Sequence, residues 1–354
     1  MFRCRFSLWF KVGFCVLLGL FLVLPRSVMA EGEKGEVSGA VEVEAQSYKR
    51  DFDDPATDSE DASDIALATV EVGIDAELNP SVQGHVLLLW EEGETGDIND
   101  FMDEGTITIS NEEKCPYYLT AGKMYLPFGV FESAFISDPM TLELGEINDT
   151  AVQLGYRKGN ADISFGFFNG DVDKPGKDDK VNCYFANASF EYAQDPYSLG
   201  FVVSYLSNMA DTDGLEGAVD SAATMTDEVQ GLGVSLNANM GTWFLTAEYL
   251  AAMDDFEANL FTGVAKTIKP ETYNVEFGWD TGRNATVALK YEQSDDMEIN
   301  DDFDLGESRY GICLAYELYD DVVLGFEYLH EKYDNVNLNK GESDAITAQL
   351  AIGF

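Results

Sequence analysis

The sequence predicts an all-β protein, a transmembrane antiparallel up-and-down β-barrel of about 16 strands. From Ile346 to the terminal Phe354, apolar residues occupy every second position, which is typical of a strand with one apolar face. Similar segments recur along the chain, and the connections between them are alternately short and long. After residue 30 no run of 18 consecutive apolar residues occurs, so no membrane-spanning helix is predicted. An exported chain of this kind is either a soluble protein or a membrane barrel.

The N-terminal segment has the pattern of a cleaved secretory signal peptide. Three basic residues precede an apolar run of 13 residues, 12–24, and a Val-Met-Ala cleavage site ends at Ala30. The run is too short to cross a bilayer as a helix. We therefore predict a signal peptide over 1–30 and a single barrel domain over 31–354.

The charge balance limits the partners. The whole chain has a net charge of −44, and removal of residues 1–30 takes away four basic side chains, which leaves −48. Nucleic acid is excluded as a partner because phosphate binding requires Lys and Arg. A general anion pore is equally disfavoured. The excess of acid indicates either solvation of the loops or attraction of cations and cationic complexes.

Sixteen alternating segments account for most of the chain. The predicted strands are 37–47, 65–78, 82–91, 105–111, 117–126, 151–158, 161–169, 182–192, 197–206, 229–240, 243–252, 271–280, 285–293, 308–318, 322–331 and a last strand that ends at Phe354. In strand two, the predicted outward residues include Ala66 and Ala68. The strand between 117 and 126 has an uncertain phase.

Long connections alternate with short turns throughout. The long ones are 48–64, 92–104, 127–150, 170–181, 207–228, 253–270, 294–307 and 332–342. Short turns on one side, long loops on the other and an even strand number are the pattern of bacterial membrane barrels. A soluble sandwich gives no reason for such regular alternation.

The closing strand resembles that of bacterial outer-membrane barrels, in which a terminal aromatic is part of the assembly signal. Phe354 is assigned that role, and the resemblance implies contact with the barrel-assembly machinery. Aromatic residues also cluster at predicted strand ends, for example Trp90 and Tyr291 at the outer rim and Trp243 and Trp279 at the periplasmic rim. Two aromatic girdles are expected of a membrane barrel.

The third long connection, 127–150, differs from the others because it is rich in Phe, Ile and Leu. A loop of this composition is not expected to lie in water. We predict that it folds into the lumen and narrows it, with Phe128 and four carboxylates facing the passage: Glu132, Asp138, Glu143 and Glu146. A packed lid over the barrel mouth and a contact between protomers are alternatives.

Four basic residues are candidates to oppose these carboxylates across the lumen: Lys123, Arg157, Lys290 and Arg309. The last three fall on predicted inward positions of their strands. Bases facing acids would set a transverse field that orients polar solutes. The alternative is a set of ordinary ion pairs that stiffen the wall.

Nothing in the sequence marks a catalytic centre or a specific metal site. The two histidines, His85 and His330, have no local pattern of a nucleophile and its base. After the signal segment, Cys115, Cys183 and Cys313 match no zinc spacing, and the sequence leaves both one disulfide and free thiols open.

Three acidic loop clusters could hold Ca²⁺ loosely. They are 51–54, 254–255 and 300–304. None has the spacing of a complete calcium-binding loop. Solvation, or bridging to lipopolysaccharide through divalent cations, is the favoured interpretation.

The segment 122–129, Gly-Lys-Met-Tyr-Leu-Pro-Phe-Gly, and the segment 136–146, Ile-Ser-Asp-Pro-Met-Thr-Leu-Glu-Leu-Gly-Glu, resemble the siderophore porins related to the legiobactin receptor. This resemblance is strongest over about 120–170. It implies an outer-membrane porin for passive, substrate-biased diffusion, linked to uptake of an iron–siderophore complex, and a homotrimer by analogy with sixteen-stranded porins. The acidic balance adds an expectation of cation preference. A non-conducting surface barrel that binds partners is the alternative function.

Overall fold

The computed structural model describes most of the chain from Gly35 onward, and all structural statements below refer to these residues. They are 35–52, 59–92, 101–111, 114–172, 174–175, 180–221, 223, 225–297, 299, 303, 305–333 and 341–354. The predicted signal peptide, 1–30, lies outside them.

The described residues form sixteen strands, numbered β1 to β16 in chain order. They are Gly35–Asp51, Glu60–Asn79, Val82–Glu91, Met102–Asn111, Cys115–Tyr125, Asn148–Lys158, Ala161–Phe168, Cys183–Gln194, Tyr197–Leu206, Gly231–Met240, Trp243–Ala252, Glu271–Asp280, Ala285–Asp295, Ser308–Tyr319, Val322–Lys332 and Glu342–Gly353. Two short α-helices, α1 (Met140–Gly145) and α2 (Asp213–Glu216), and one 3₁₀ turn (Met209–Asp211) lie in the connections. No helix among the described residues is long and apolar enough to cross a membrane.

The strands close into one barrel. Each strand pairs antiparallel with its neighbours in sequence, and β1 pairs with β16. At the closure, Phe354 N–H donates to Gly39 O (3.0 Å) and Gly39 N–H donates to Phe354 O (2.9 Å). The predicted sixteen-stranded up-and-down barrel is confirmed. We call its two ends the short-turn rim, where both termini of the sheet lie, and the long-loop rim.

One β-bulge changes the predicted phase of β2. The register against β1 moves from Glu42↔Thr69 to Val43↔Leu67, so Ala68 has no partner in the ladder. An extra residue shifts the alternation by one. Ile65 and Leu67 therefore face outward, with Ile65 75% exposed, in place of the predicted Ala66 and Ala68.

The outward face is apolar and aromatic. Exposed side chains on it include Ile163, Leu289 and Ile346. At the short-turn rim Trp243 stacks on Trp279 with ring centroids 5.6 Å apart. An apolar band with aromatic rims is the surface that a membrane barrel presents to lipid.

The main apolar core lies inside the barrel, towards the long-loop rim. It combines wall side chains such as Phe185 and Leu250 with Met140 and Leu144 of α1 and with Phe256 from a long loop. The bridge Val219↔Phe261 joins two long loops there, and the bridge Phe256↔Ile268 lies within the second of these loops. The connection 207–230 supplies six residues to this core and the connection 126–147 supplies five.

Candidate channel constriction

The connection between β5 and β6 lies inside the barrel. Its base is closed by Leu126 N–H, which donates to Ile147 O at 2.9 Å. Between these residues the chain contacts Glu248, Glu276 and Glu327 of the wall. These glutamates alternate with outward side chains, as in Val275-Glu276-Phe277, so they point inward. The predicted folding of this loop into the lumen is confirmed. We call residues 126–147 the lumen loop.

Wall carboxylates hold the main chain of the lumen loop. Glu248 accepts hydrogen bonds from Val130 N (2.6 Å) and Phe131 N (3.0 Å), and from the Thr141 hydroxyl (2.8 Å). Glu292 accepts one from Met140 N at 2.7 Å. A charged acceptor makes such bonds shorter and stronger than neutral pairs do.

Two further glutamates hold the middle of the loop. Glu276 accepts hydrogen bonds from Ser133 Oγ and Ala134 N, both at 2.7 Å. Glu327 accepts from Ile136 N (2.6 Å), Ser137 N (3.0 Å) and Ser137 Oγ (2.5 Å). Together the four glutamates on β11, β12, β13 and β15 fix the loop along one side of the barrel. We call β10–β15 the loop wall.

Two buried bases complete the attachment. Lys290 Nζ lies 3.3 Å from Glu276 Oε1, donates to Ser137 O (3.4 Å) and lies 4.8 Å from the centre of the Phe135 ring. Arg309 donates to Asp138 O at 3.1 Å and to Glu331 Oε1 at 3.2 Å. Carboxylates bind the N–H groups of the loop and bases bind its carbonyl groups, so both sides of the loop backbone are satisfied in the interior.

Glycines let the loop lie close to the wall. A Cβ atom on Gly231 would lie 2.6 Å from the ring of Phe128, which is fully buried. A Cβ atom on Gly325 would lie 3.0 Å from the side chain of Ile136. The missing side chains at these inward positions make room for the apolar residues of the loop. Phe128 is therefore an anchor against the wall.

The four carboxylates of the loop have different environments. Asp138 is buried beside Arg309, and Glu143 interacts electrostatically with that guanidinium group. Glu146 lies at the end of α1 and its carbonyl accepts from Asp213 N at 2.9 Å. Glu132 is half-buried, and burial together with Glu248, Glu191 and Glu276 raises its pKa to about 7.

Of the four predicted bases, Lys290 and Arg309 are brought to the loop. Lys123 lies on the outward face of β5, since Met124 beside it points into the core, and its Nζ donates to Met102 O at 3.1 Å. Arg157 lies at the short-turn rim, where its Nε donates to Asp162 at 2.7 Å. A transverse field from all four bases is therefore not formed.

The wall glutamates that hold the loop were not predicted from sequence. A signal for them exists, because Glu276 and Glu327 each occupy an inward, mid-strand position between two outward apolar or aromatic residues. A carboxylate in such a place needs donors. The sequence does not say which loop supplies them.

The first four strands present a second set of inward acids. Glu42, Glu44, Glu71 and Glu91 are buried there, and Gln349 Nε2 donates to Glu44 Oε1 at 2.8 Å. Nearby, His85 Nδ1 lies 2.8 Å from Asp75 Oδ1. We call β1–β4 the acidic wall.

The other candidate residues form no chemical centre in the described part of the chain. Cys115, Cys183 and Cys313 are free thiols. Among the described residues no group of three His, Cys, Asp or Glu is arranged to hold a metal ion. Asp254 and Asp255 are exposed, whereas most of the other two acidic clusters falls outside the described residues.

His330 is the second histidine, and it lies on the outward face. Its Nδ1 atom is 2.9 Å from Asp344 Oδ1, and its ring centroid is 4.8 Å from that of Tyr310. The tyrosine Tyr328 also donates to Asp344, at 2.6 Å. These contacts occupy the histidine in a surface cluster at the long-loop rim.

Comparison with solved structures identifies the architecture. The chain superposes on the outer-membrane channel DcaP of Acinetobacter baumannii with a TM-score of 0.61, 14% identity and coverage of 92% of this chain and 100% of that one. OmpF of Salmonella typhi, solved with daunomycin, gives a TM-score of 0.60, 12% identity and coverage of 91% and 98%. OprB of Pseudomonas putida gives 0.61, 9% identity and coverage of 91% and 94%. The fold is that of an outer-membrane porin.

The chain also has curated sequence relatives at low identity. A UPF0422 protein of Coxiella burnetii is 24% identical over 279 residues, which cover 76% of this chain and 59% of that protein. The UPF0422 protein lpg2959 of Legionella pneumophila is 24% identical over 312 residues, covering 79% and 56%. The chain thus spans a little over half the length of these curated relatives. No protein-family model matches it.

The porin fold and the apolar outward band together place the protein in the bacterial outer membrane. A closed barrel has no free edge, so its backbone is fully paired within lipid.

Proposed function

We propose that this porin-fold barrel is a passive channel for small polar solutes. The observation that carries the proposal is the lumen loop, which is fixed inside a closed sixteen-stranded barrel by wall carboxylates and buried bases. A loop held inside the barrel narrows the passage through it. Inward positions of the wall include polar side chains such as Glu42, Asn237 and Gln349, which suits hydrated solutes.

Conductance in planar bilayers tests the proposal. The purified barrel is expected to give stable ohmic steps. Glu327→Ala removes three acceptor bonds to the lumen loop and is expected to increase the step size. The control is Glu317→Ala, an inward carboxylate at the short-turn end of β14, which is expected to leave the step size unchanged. A wild-type barrel without steps would instead support a non-conducting surface barrel that binds partners.

The channel is expected to prefer cations. Support comes from the net charge of −44 and from the buried carboxylates of the acidic wall, such as Glu42 and Glu71. A lumen with excess negative charge attracts cations and repels anions. Reversal potentials in a KCl gradient measure this preference, and a potential of the anion-selective sign would contradict it.

A narrower proposal concerns the solute. The resemblance of segments 122–129 and 136–146 to siderophore porins supports a ferric siderophore as one cargo. Growth on a ferric siderophore as sole iron source, compared between cells with and without the gene, tests it. Equal growth of the two strains would remove the siderophore from the proposal and leave the channel.

The partner proposals concern assembly. Phe354 packs against Gly39 where β1 meets β16. This position supports the proposal that Phe354 acts as a signal for the assembly machinery. Deletion of Phe354 is expected to lower the yield of folded barrel, while Phe354→Tyr retains it.

Contact with lipopolysaccharide and a homotrimer are proposed by analogy with sixteen-stranded porins. Crosslinking in intact membranes tests the trimer.

A further inference from the structure

One carboxylate of the lumen loop differs from the other three. Glu132 lies between two attachment points, because Phe131 N–H donates to Glu248 Oε2 (3.0 Å) and Ser133 Oγ donates to Glu276 Oε1 (2.7 Å). Its own carboxylate forms no hydrogen bond or ion pair with the described residues. The backbone on both sides is fixed while this side chain remains partly exposed to the lumen.

The groups that face Glu132 are all acidic. Glu248 and Glu276 lie on the loop wall and are already bound by loop donors, and Lys290 lies 3.3 Å from Glu276. Glu191 faces it from β8, at an inward position between the outward Phe190 and Tyr192, and is exposed. Glu132 and Glu191 therefore present two carboxylates to the same narrowed part of the lumen.

These neighbouring carboxylates make Glu132 harder to ionise. Burial, and then the negative charges of Glu248, Glu191 and Glu276, raise the pKa of Glu132 to about 7. A like charge nearby disfavours the charged form of a carboxyl group. Below that pH the side chain is neutral, and above it the loop adds a negative charge opposite Glu191.

We propose that Glu132, opposed by Glu191, is the residue at which the channel selects small cations, including organic ammonium ions, and that protonation of this one carboxyl weakens the selection. The inference rests on the proposed channel function and names its specificity-determining residue. With Glu132 ionised, a cation passing between the two carboxylates is stabilised by both. With Glu132 neutral, one of the two charges is lost.

The test measures reversal potentials of the full barrel in a KCl gradient from about pH 5.5 to about pH 8.5. The ratio of K⁺ to Cl⁻ permeability is expected to rise with pH, with a midpoint near 7. In Glu132→Gln the ratio is expected to stay at its low-pH value while conductance steps persist. In Glu191→Gln the midpoint is expected to fall by about one pH unit because a like charge is removed.

The matched control is Glu257→Gln in the long loop 253–270, whose carboxylate accepts from Thr226 and Asp227 at the long-loop rim. It is expected to keep the wild-type pH profile.

A pH-independent ratio in the wild type, or a wild-type midpoint in Glu132→Gln, would overturn the inference. If Glu132→Gln does not fold, Glu132→Asp replaces it and is expected to retain a titration with a shifted midpoint; an unshifted midpoint counts against the inference. Absence of steps at every pH would instead contradict the channel function itself.

Discussion

The loop wall and the acidic wall both carry inward glutamates, but the surroundings of these residues differ. On the loop wall, Glu276 and Glu327 accept five hydrogen bonds from the lumen loop, and Lys290 lies beside Glu276. On the acidic wall, Glu42 and Glu71 are also buried, but they lie on β1 and β2, which supply none of the lumen-loop contacts described above. The same residue type thus serves attachment on one side and supplies negative charge on the other.

The difference shows why composition alone does not locate selectivity. A carboxylate bound by several N–H donors and a lysine has much of its charge compensated locally. Such a residue contributes to the rigidity of the constriction more than to the field that a passing ion meets. The field that an ion meets depends on how much of each carboxylate's charge is compensated locally, so counting acids over the whole lumen overestimates the contribution of the loop wall.

The largest expected effect that tests this comparison comes from Lys290→Ala. Lys290 is fully buried, 3.3 Å from Glu276 and 3.9 Å from Glu292. Its removal leaves the buried carboxylate of Glu276 without this base, while Glu292 keeps Arg309 at 3.5 Å. Breaking a buried pair in this way costs about 3–5 kcal/mol. Thermal unfolding in detergent measures the loss. The double variant Lys290→Met with Glu276→Gln is expected to recover most of it, and a fully stable single variant would contradict the assigned role.

A smaller effect is expected from Gly231→Ala. The added methyl group would lie 2.6 Å from the ring of Phe128, so the anchor of the lumen loop must move. Overpacking of this kind costs about 1–3 kcal/mol. Gly217→Ala is the control, because no atom lies within 4 Å of its added methyl group. Equal unfolding temperatures for the two variants would show that Phe128 is not held by the loop wall.

On the acidic wall, the double variant Glu42→Gln with Glu71→Gln is expected to lower the unfolding temperature much less than Lys290→Ala does. It is also expected to reduce cation preference. The reason is that two negative charges leave the lumen while the attachments of the lumen loop persist. Reversal potentials report the change, and step size serves as the internal control. A changed step size with constant selectivity would reverse the roles assigned to the two walls.

The smallest effect is expected from a substitution of Glu216, which lies in a loop at the long-loop rim, away from the buried bases Lys290 and Arg309 of the loop wall. Burial and the charges of Asp171, Asp213, Asp211 and Asp149 raise the pKa of Glu216 to about 7. Because the pKa is raised above the ordinary 4.5, the folded loop is favoured at low pH and loses that contribution as pH rises through about 7.

Glu216→Gln is therefore expected to protect the amides of 209–221 from hydrogen exchange slightly better than the wild type above pH 7, by under about 1 kcal/mol. Below about pH 5 the two proteins are expected to exchange alike. Better protection of the wild type at high pH would contradict the assigned environment of Glu216.

Most of the barrel could be predicted from the sequence, because the alternation of outward apolar and inward residues is a local property of each strand. The outward residues of the last strand, such as Ile346, Ala348 and Leu350, can be recognised from the sequence of that strand alone, and so can most strand ends. The bulge at Ala68 was missed because one extra residue leaves an alternating apolar pattern on either side of it. The phase of β5 was also undecided, so Lys123 remained a candidate for the lumen although its side chain lies on the outward face.

The constriction was predicted only in part. The apolar composition of the loop shows that it must be covered. The glutamates that hold it, however, are 107–191 positions away in the chain, from Thr141–Glu248 to Ile136–Glu327. Contacts at such separations depend on the shear and closure of the barrel. Among the loop acids, Glu143 interacts electrostatically with the wall base Arg309, whereas the main attachment runs from wall acids to the loop backbone.

The use of main-chain amides by the wall glutamates has an evolutionary consequence. Glu248, Glu292 and Glu327 bind N–H groups that every residue except proline possesses, so these attachments do not depend on which side chains stand at the bonded positions. Descendants of this barrel can therefore exchange a side chain such as Glu132 while these attachments of the lumen loop remain in place.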